Sequence, residues 1–488
     1  MGGFDLLKRH FATDLRVDDR ATGIPSPTPQ RASIKCAGPY MTAQAIGSIS
    51  AVRDIHKDQL TRVALATTIG TAIEAFDFLA FGTAAALVFN SLFFPRFDST
   101  AAALASFAAF ATGLFARPVG AVMFGHFGDR LGRKRMLVLS LVGMGAATVI
   151  IGLLPTYGMI GLWAALLRVV LRILQGISVG GEMGGAVVLA VEHAPEQYKS
   201  FFGSLPQTGA PIGLLLSTSA FAAVTLLPEQ DLLSWGWRLP FLASAVLIVI
   251  GLYVRRSIDE SPEFTTIAAQ RKTARVPALS VLRHHIRPLL LTIAGKLAEV
   301  TLFYLIIVFL LSYATRTSLL PRNEVLGAIA IGALVQLGTI PLFGWLGDRM
   351  GQRLLYGLGG VLLAVLAIPA MAVIDARSVI GLKVAIIVGL GFNYSLMFGP
   401  QASLYSAQFP PELRYSGVSL GIQLAAALGG GLAPIVATAL LKVSGGLVLI
   451  GTYLATLGLL ASLCTWLMRA PPTTVDELKQ KNPEQEWL

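Results

Sequence analysis

Charged residues are scarce in this chain. Asp, Glu, Lys and Arg make up 13% of its 488 residues, where a soluble chain of that size carries about 25%. The shortage excludes an ordinary water-soluble globule. With only two cysteines, Cys36 and Cys464, there is neither a disulfide framework nor metal-site spacing. No Gly-x-x-x-x-Gly-Lys-[Ser/Thr] string occurs, which excludes a P-loop ATP-driven pump. His126, His193, His284 and His285 sit in loops or at the ends of apolar runs, so neither a metal nor any other cofactor is expected. A nucleophile and base on facing helices are not found either, and an enzyme is not expected. The first 40 residues are polar, with Pro25, Pro27 and Pro29, and no signal peptide is expected. Met41 opens a more conventional lead-in, so residues 1–40 read as an extension, or as untranslated.

What is abundant is apolar sequence, 54% of the chain, gathered in repeated runs of about 20 residues or more, enough to cross a bilayer core as helices. The runs lie at about 63–90, 100–125, 136–154, 159–193, 200–227, 237–256, 288–315, 324–346, 353–374, 379–407, 413–441 and 445–469. They predict an all-α membrane protein with twelve transmembrane helices. The net charge of +11 is one that nucleic acid could attract, but its placement points elsewhere. With the N-terminus inside, the inner loops hold about 15 Lys and Arg and the outer loops about 7, a topology signal. The lipid bilayer is the expected partner and nucleic acid is not. Both termini are expected in the cytoplasm and the chain in the plasma (inner) membrane as a multi-pass protein.

One internal repeat divides the chain. Gly125, Gly128, Asp129, Arg130 and Gly132 follow helix 2, and Gly344, Gly347, Asp348, Arg349 and Gly351 follow helix 8 with identical spacing. Pro195-Glu196 with Lys199, and Pro411-Glu412 with Arg414, form a looser echo. The expected organisation is a disordered tail over 1–60, a six-helix bundle over 61–256 and a cytoplasmic linker over 257–287. A second six-helix bundle over 288–469 and a cytoplasmic tail over 470–488 complete it.

The repeated strings resemble the loop motif of the major facilitator superfamily. Arg117-Pro118-Val119-Gly120 leading to Gly125-His126-Phe127-Gly128-Asp129-Arg130-Leu131-Gly132-Arg133-Lys134 is similar to its metabolite:proton symporter branch. So are Arg172-Ile173-Leu174-Gln175-Gly176 running into Gly180-Gly181-Glu182-Met183-Gly184-Gly185-Ala186, Glu74-Ala75-Phe76-Asp77-Phe78, and Phe409-Pro410-Pro411-Glu412-Leu413-Arg414. The resemblance spans about residues 55–469. It implies the major facilitator fold and proton-coupled uptake of small organic acids or zwitterions, with a monomer as the working unit. Two positions depart from the branch: Gln408 stands where an acid is usual, and Arg168 where an apolar residue is commoner.

Ionisable groups inside apolar runs cost at least about 2.5–3.5 kcal/mol each on insertion scales, so they face a cavity or a partner. Glu74 and Asp77 share one face of helix 1. Two carboxylates close together in low dielectric resist joint ionisation, which suits a proton carrier, Asp77 first with Glu74 as partner; a structural pair neutralised by an Arg is the other reading. Arg168, Arg172, Gln175 and Glu182 form a stripe on helix 4. Arg172 can hold a substrate carboxylate through two parallel bonds, or serve as counter-ion to Asp77. Gln175 lies with it in the expected substrate site. Glu182, among glycines, serves either packing or gating, and Gly176, Gly180 and Gly184 let another helix approach. Arg117 takes part in substrate or coupling chemistry by resemblance, or else snorkels. Lys296 and Glu299 either neutralise each other, or attract a substrate carboxylate and move a proton respectively. Tyr304, Asn393 and Gln401, with Gln336 and Tyr405, complete the polar lining, each also suited to a helix–helix bond. Asp129, Arg130, Arg133, Asp348 and Arg349 read as gating elements, carboxylates beside helix N-termini with arginines able to reach facing helices. The whole suggests two halves rocking about a midplane site. A proton-driven exporter of the same superfamily is the alternative, although Gly209-Ala210-Pro211 on helix 5 departs from the usual exporter motif.

Overall fold

Apolar runs of this length have no choice but to close their backbone bonds internally, and the structure, a computed structural model, is accordingly helical. It describes residues 64–85, 87–93, 99–131, 133–180, 182–256, 277–316 and 321–470, with no strand among them. The N-terminal tail, most of the linker and the C-terminal tail lie outside the described residues.

Twelve helices form the body. They are α1 (Ala64–Ala85), α2 (Ser99–Leu131), α3 (Arg133–Leu153), α4 (Leu162–Glu192), α5 (Lys199–Gln207 and Gly209–Val224), α6 (Leu239–Arg256), α7 (Ile286–Ala314), α8 (Arg322–Met350), α9 (Gln352–Asp375), α10 (Val379–Ser406), α11 (Leu413–Ser444) and α12 (Val448–Leu467). Ten are apolar and long enough to span a bilayer by themselves. The other two are α3, whose apolar part is Val138–Leu153, and α5. The latter is interrupted at Thr208, between Pro206 and Pro211, because a proline at 211 has no N–H to return to the preceding turn. A short helix, Pro277–His284, precedes α7.

The repeated Gly-Asp-Arg strings correct one expectation. They are not turns after helices 2 and 8 but the last turns of α2 and α8, which run on to Leu131 and Met350. The chain reverses after α8 at Gly351, whose φ of +97° is costly for any residue with a β-carbon.

Small residues set the closest helix approach. A β-carbon at Gly176 would overlap the carbonyl oxygen of Gly113 on α2, and one at Gly180 that of Arg117. The ridge continues on a different neighbour, since Gly184 meets Ser419 of α11. Helix 4 therefore packs within its own half at one end and against the other half at its other end. In the second half, α7, α10 and α11 each contain a stretch of wider i→i+5 turn, at Leu305–Leu310, Ile387–Tyr394 and Ala426–Gly431. Such stretches inside long helices recur at functional sites.

Candidate functional site

Most of the buried charged residues of the apolar runs gather in two clusters, one per half. In the first, Glu74 and Asp77 lie one turn apart on α1 but turn to different neighbours. Glu74 faces α2, with Oε1 3.9 Å from Arg117 Nη2 and both side chains buried. Asp77, with no exposed surface, lies against Gly145 of α3 and beside the hydroxyls of Thr148 on α3 and Ser244 on α6. No hydrogen bond closes to its carboxylate; the Thr148 proton goes instead to Met144 O at 3.0 Å.

Arg172 does not pair directly with Asp77. Its guanidinium stacks on aromatic faces, 3.7 Å from the Phe78 ring centre, 4.3 Å from Phe81 and 4.9 Å from Phe110. Such contacts attract a cation by the ring quadrupole, most strongly where water is absent. The link to Asp77 runs through Gln175. Arg172 Nη1 donates to Gln175 Oε1, and Gln175 Nε2 donates to Thr148 Oγ1 at 2.7 Å and to the Asp77 carbonyl at 3.3 Å. Both ends of that amide are thereby engaged by α1, α3 and α4. Arg168, one turn away, is also fully buried, over Phe93 at 4.5 Å and Phe89 at 4.7 Å. Arg117 covers the Phe78 ring at 3.9 Å. Glu182 accepts from Ser140 of α3 at 3.3 Å, a link inside its own half.

The second cluster is built differently. Lys296 Nζ pairs with Glu299 one turn on along α7 and donates to Gln401 Oε1 of α10 at 3.0 Å, above the Phe398 ring. Glu299 Oε2 lies 3.4 Å from the Tyr356 hydroxyl of α9, to which Tyr405 donates at 2.7 Å. Asn393 donates to Gly359 O at 2.9 Å, and Gln336 to Leu390 O at 3.1 Å.

Tyr304 of α7 lies between the clusters. Its ring packs edge-on to Phe110 at 5.5 Å and to Phe78 at 6.4 Å, and it is within electrostatic reach of Glu74, Arg117 and Arg172. Tyr394, its ring tilted against Phe303 at 5.2 Å, stands in the same relation to Glu299 and Tyr304. A line of buried polar groups therefore crosses from one half to the other.

At one end the halves are joined by polar contacts. Asp348, in the last turn of α8, accepts from the backbone N–H groups of Ser200 and Phe201 in the first turn of α5, both at 2.8 Å. A carboxylate at a helix N-terminus meets free donors and the positive end of the dipole. Arg414 of α11 reaches Glu192 of α4 at 3.3 Å. Arg349, expected to reach across, lies over the Trp345 ring of its own helix at 3.9 Å. The side chains of Asp129, Arg130 and Arg133 lie outside the described residues. Gln408 holds the backbone of Arg469, accepting from its N–H and donating to its carbonyl, each at 2.9 Å. A carboxylate could not make both bonds.

Thr148, Ser244, Tyr356 and Glu192 escaped sequence reasoning. A lone hydroxyl in an apolar helix is ordinarily a backbone-bonded residue, and nothing in its spacing distinguishes one that faces an ionisable partner.

Residues 67–434 match the Major Facilitator Superfamily. The chain is 43% identical over 401 residues to the inner membrane metabolite transport protein YhjE of Escherichia coli K12, covering 81% of this chain and 90% of that one. It is 41% identical to the shikimate transporter of the same organism over 389 residues, covering 79% and 89%. Against the E. coli K12 proline/betaine transporter it is 32% identical over 412 residues, covering 82% and 81%. Among solved structures, the partially occluded inward-open xylose transporter XylE of E. coli superposes with a TM-score of 0.65 at 18% identity, covering 86% of this chain and 99% of that one.

Proposed function

Because the chain belongs to the Major Facilitator Superfamily, we propose that it uses a proton gradient to take up a small organic acid or zwitterion by alternating access. It is a multi-pass membrane transporter of metabolites and not an enzyme. Relatives named for shikimate and for proline and betaine bracket the proposed substrate class. Proton symport rests on one observation above all, the fully buried Asp77 carboxyl beside two hydroxyls, in a residue whose backbone carbonyl is joined through Gln175 to Arg172. A group that gains and loses a proton in a dry place needs partners for both forms. A hydroxyl can donate to the carboxylate or accept from the acid.

In this reading Asp77 carries the proton and Glu74 responds to it through Arg117. Gln175 transmits the state of Asp77 to Arg172 rather than touching substrate. Lys296 is the substrate's cation, at present satisfied by Glu299 and Gln401. Protonation of Glu299 releases Lys296 for a substrate carboxylate, so proton and substrate favour one another. Tyr304, Asn393 and Gln401 line the path between the halves, taken as 61–256 and 288–469. Asp348 with α5, and Arg414 with Glu192, latch the side that the Lys and Arg excess assigns to the cytoplasm. Asp129, Arg130, Arg133, Glu182 and Arg349 retain a place in that gate by position. The membrane is the bacterial inner membrane, as the name of one relative suggests, with both termini cytoplasmic and the monomer as working unit.

The test is uptake into proteoliposomes of labelled shikimate, proline, glycine betaine and citrate, with an imposed pH gradient. Accumulation of one of them when the lumen is alkaline, and loss of accumulation when a protonophore collapses the gradient, is the expected result. Accumulation only when the lumen is acidic would identify a proton-driven exporter. Equilibration without accumulation under either gradient would end the coupling proposal.

A further inference from the structure

Tyr356 has no role so far, yet its hydroxyl is in contact with three polar groups. The side chain is fully buried near the start of α9. Its oxygen lies 3.2 Å from the Gly295 carbonyl and 3.4 Å from Glu299 Oε2, and it accepts from the Tyr405 hydroxyl at 2.7 Å. A phenol has one proton to give, so it cannot serve Gly295 and Glu299 together. The two acceptors are not equivalent. Gly295 lies inside the regular part of α7, where its carbonyl already receives a helical bond from four residues on.

Two arrangements of this cluster are therefore complete. With Glu299 ionised, the phenol proton points to Oε2, and Tyr405 and the α7 backbone are satisfied as they stand. With Glu299 protonated, the acid proton points to the phenol oxygen, the phenol proton turns to Gly295 O, and Tyr405 still donates. In both states the oxygens of Tyr356, Tyr405 and Glu299 keep their hydrogen-bond partners. Around Glu299 stand Lys296 on its own helix, Tyr356 on α9, Tyr394, Gln401 and Tyr405 on α10, and Cys464 on α12 beyond Tyr405. Lys296 is the only cation among these groups, and without substrate its bond to Gln401 remains when Glu299 is neutral.

We propose that Tyr356 is a positioning residue whose hydroxyl rotates between the Gly295 carbonyl and Glu299, so that Glu299 keeps a hydrogen-bond partner whether it is ionised or protonated. The inference rests on the reading of Glu299 as a coupling carboxylate. The bond formed is the O–H of the Glu299 acid, the bond broken is an O–H of hydronium reaching the site when the path opens to either side, water is left behind, and Tyr356 changes orientation without ionising.

The experiment is infrared difference spectroscopy of the purified full chain across a pH series, without substrate. The protonated-carboxyl band that Glu299→Gln removes reports Glu299. In Tyr356→Phe that band should reach half its height at a pH higher by about 0.5–1 unit, because the ionised form loses a charge-assisted bond and the acid only a neutral one. Tyr405→Phe should move it the same way by less, since it weakens Tyr356 only through the chain of bonds. An unmoved midpoint in Tyr356→Phe, with the Glu299 band present, overturns the rotation and leaves the reading of Glu299 intact. If Glu299→Gln removes no band, the assignment of Glu299 falls and the rotation falls with it. Should Tyr356→Phe fail to reach the membrane, the parent chain with ring-labelled tyrosine decides. A tyrosine band changing in step with the carboxyl band supports the rotation, and an unchanging one overturns it.

Discussion

The two halves share one architecture and solve the same electrostatic problem in opposite ways. The first half buries Arg117, Arg168 and Arg172 over phenylalanine rings, with Glu74 3.9 Å from Arg117 and no direct pairing of Arg172 with Asp77. The second buries Lys296 and neutralises it one turn away with Glu299. Ring faces attract a cation without fixing a negative charge beside it, so the charge state of Asp77 can change without breaking an ion pair. In the second half Lys296 is already shared between Glu299 and Gln401, and the ion pair must itself break before it can take another anion. The first arrangement suits a group that titrates, the second a group that is released.

That contrast can be broken from either side. The largest effect is expected at Asp77→Asn, which should abolish accumulation driven by a pH gradient while retaining counterflow exchange of preloaded substrate. Concentrative uptake by this variant at the parent level would remove Asp77 from the coupling role. In the second half, Lys296→Met strands the Glu299 charge and should destabilise by about 3–5 kcal/mol, whereas Lys296→Met with Glu299→Gln should recover most of that loss. Thermal stability in detergent measures both, and additive losses would mean the pair is not coupled. Next, Arg172→Lys keeps the charge but loses the planar stack. Uptake at saturating substrate should fall about tenfold, the equivalent of about 1.4 kcal/mol, if the ring contacts position the guanidinium. Asp348→Asn should weaken the join to α5 by about 0.5–1 kcal/mol, read as faster alkylation of a cysteine placed in the path at the Asp348 end. Arg414→Ala is expected to move the same readout least, by about 0.5 kcal/mol, because its partner pair is partly exposed.

The helices were legible in the sequence because apolar length and loop charge report directly on a bilayer. The end of α2 was not, since Gly125, Gly128 and Gly132 read as turn residues while the helix continues to Leu131. Among the charged groups, burial was predictable from position, but partner choice was not. Glu74 and Asp77 share a helical face, yet that face is wide enough for α2 to take one and α3 with α6 the other. Arg349 stacks on Trp345 because a residue four positions away is always within reach, while a facing helix need not be. Tyr356 and Thr148 could not be singled out, because what distinguishes them is the carboxylate supplied by another helix.

The contact of Asp348 with α5 is asymmetric in genetic terms. One side is a carboxylate that a single base change can remove; the other is two backbone N–H groups, which nearly every residue supplies. Variants that lose this contact should therefore map to position 348. At position 201 they should be limited to proline, whereas Ser200, fully buried against Gly347, should also fail when enlarged.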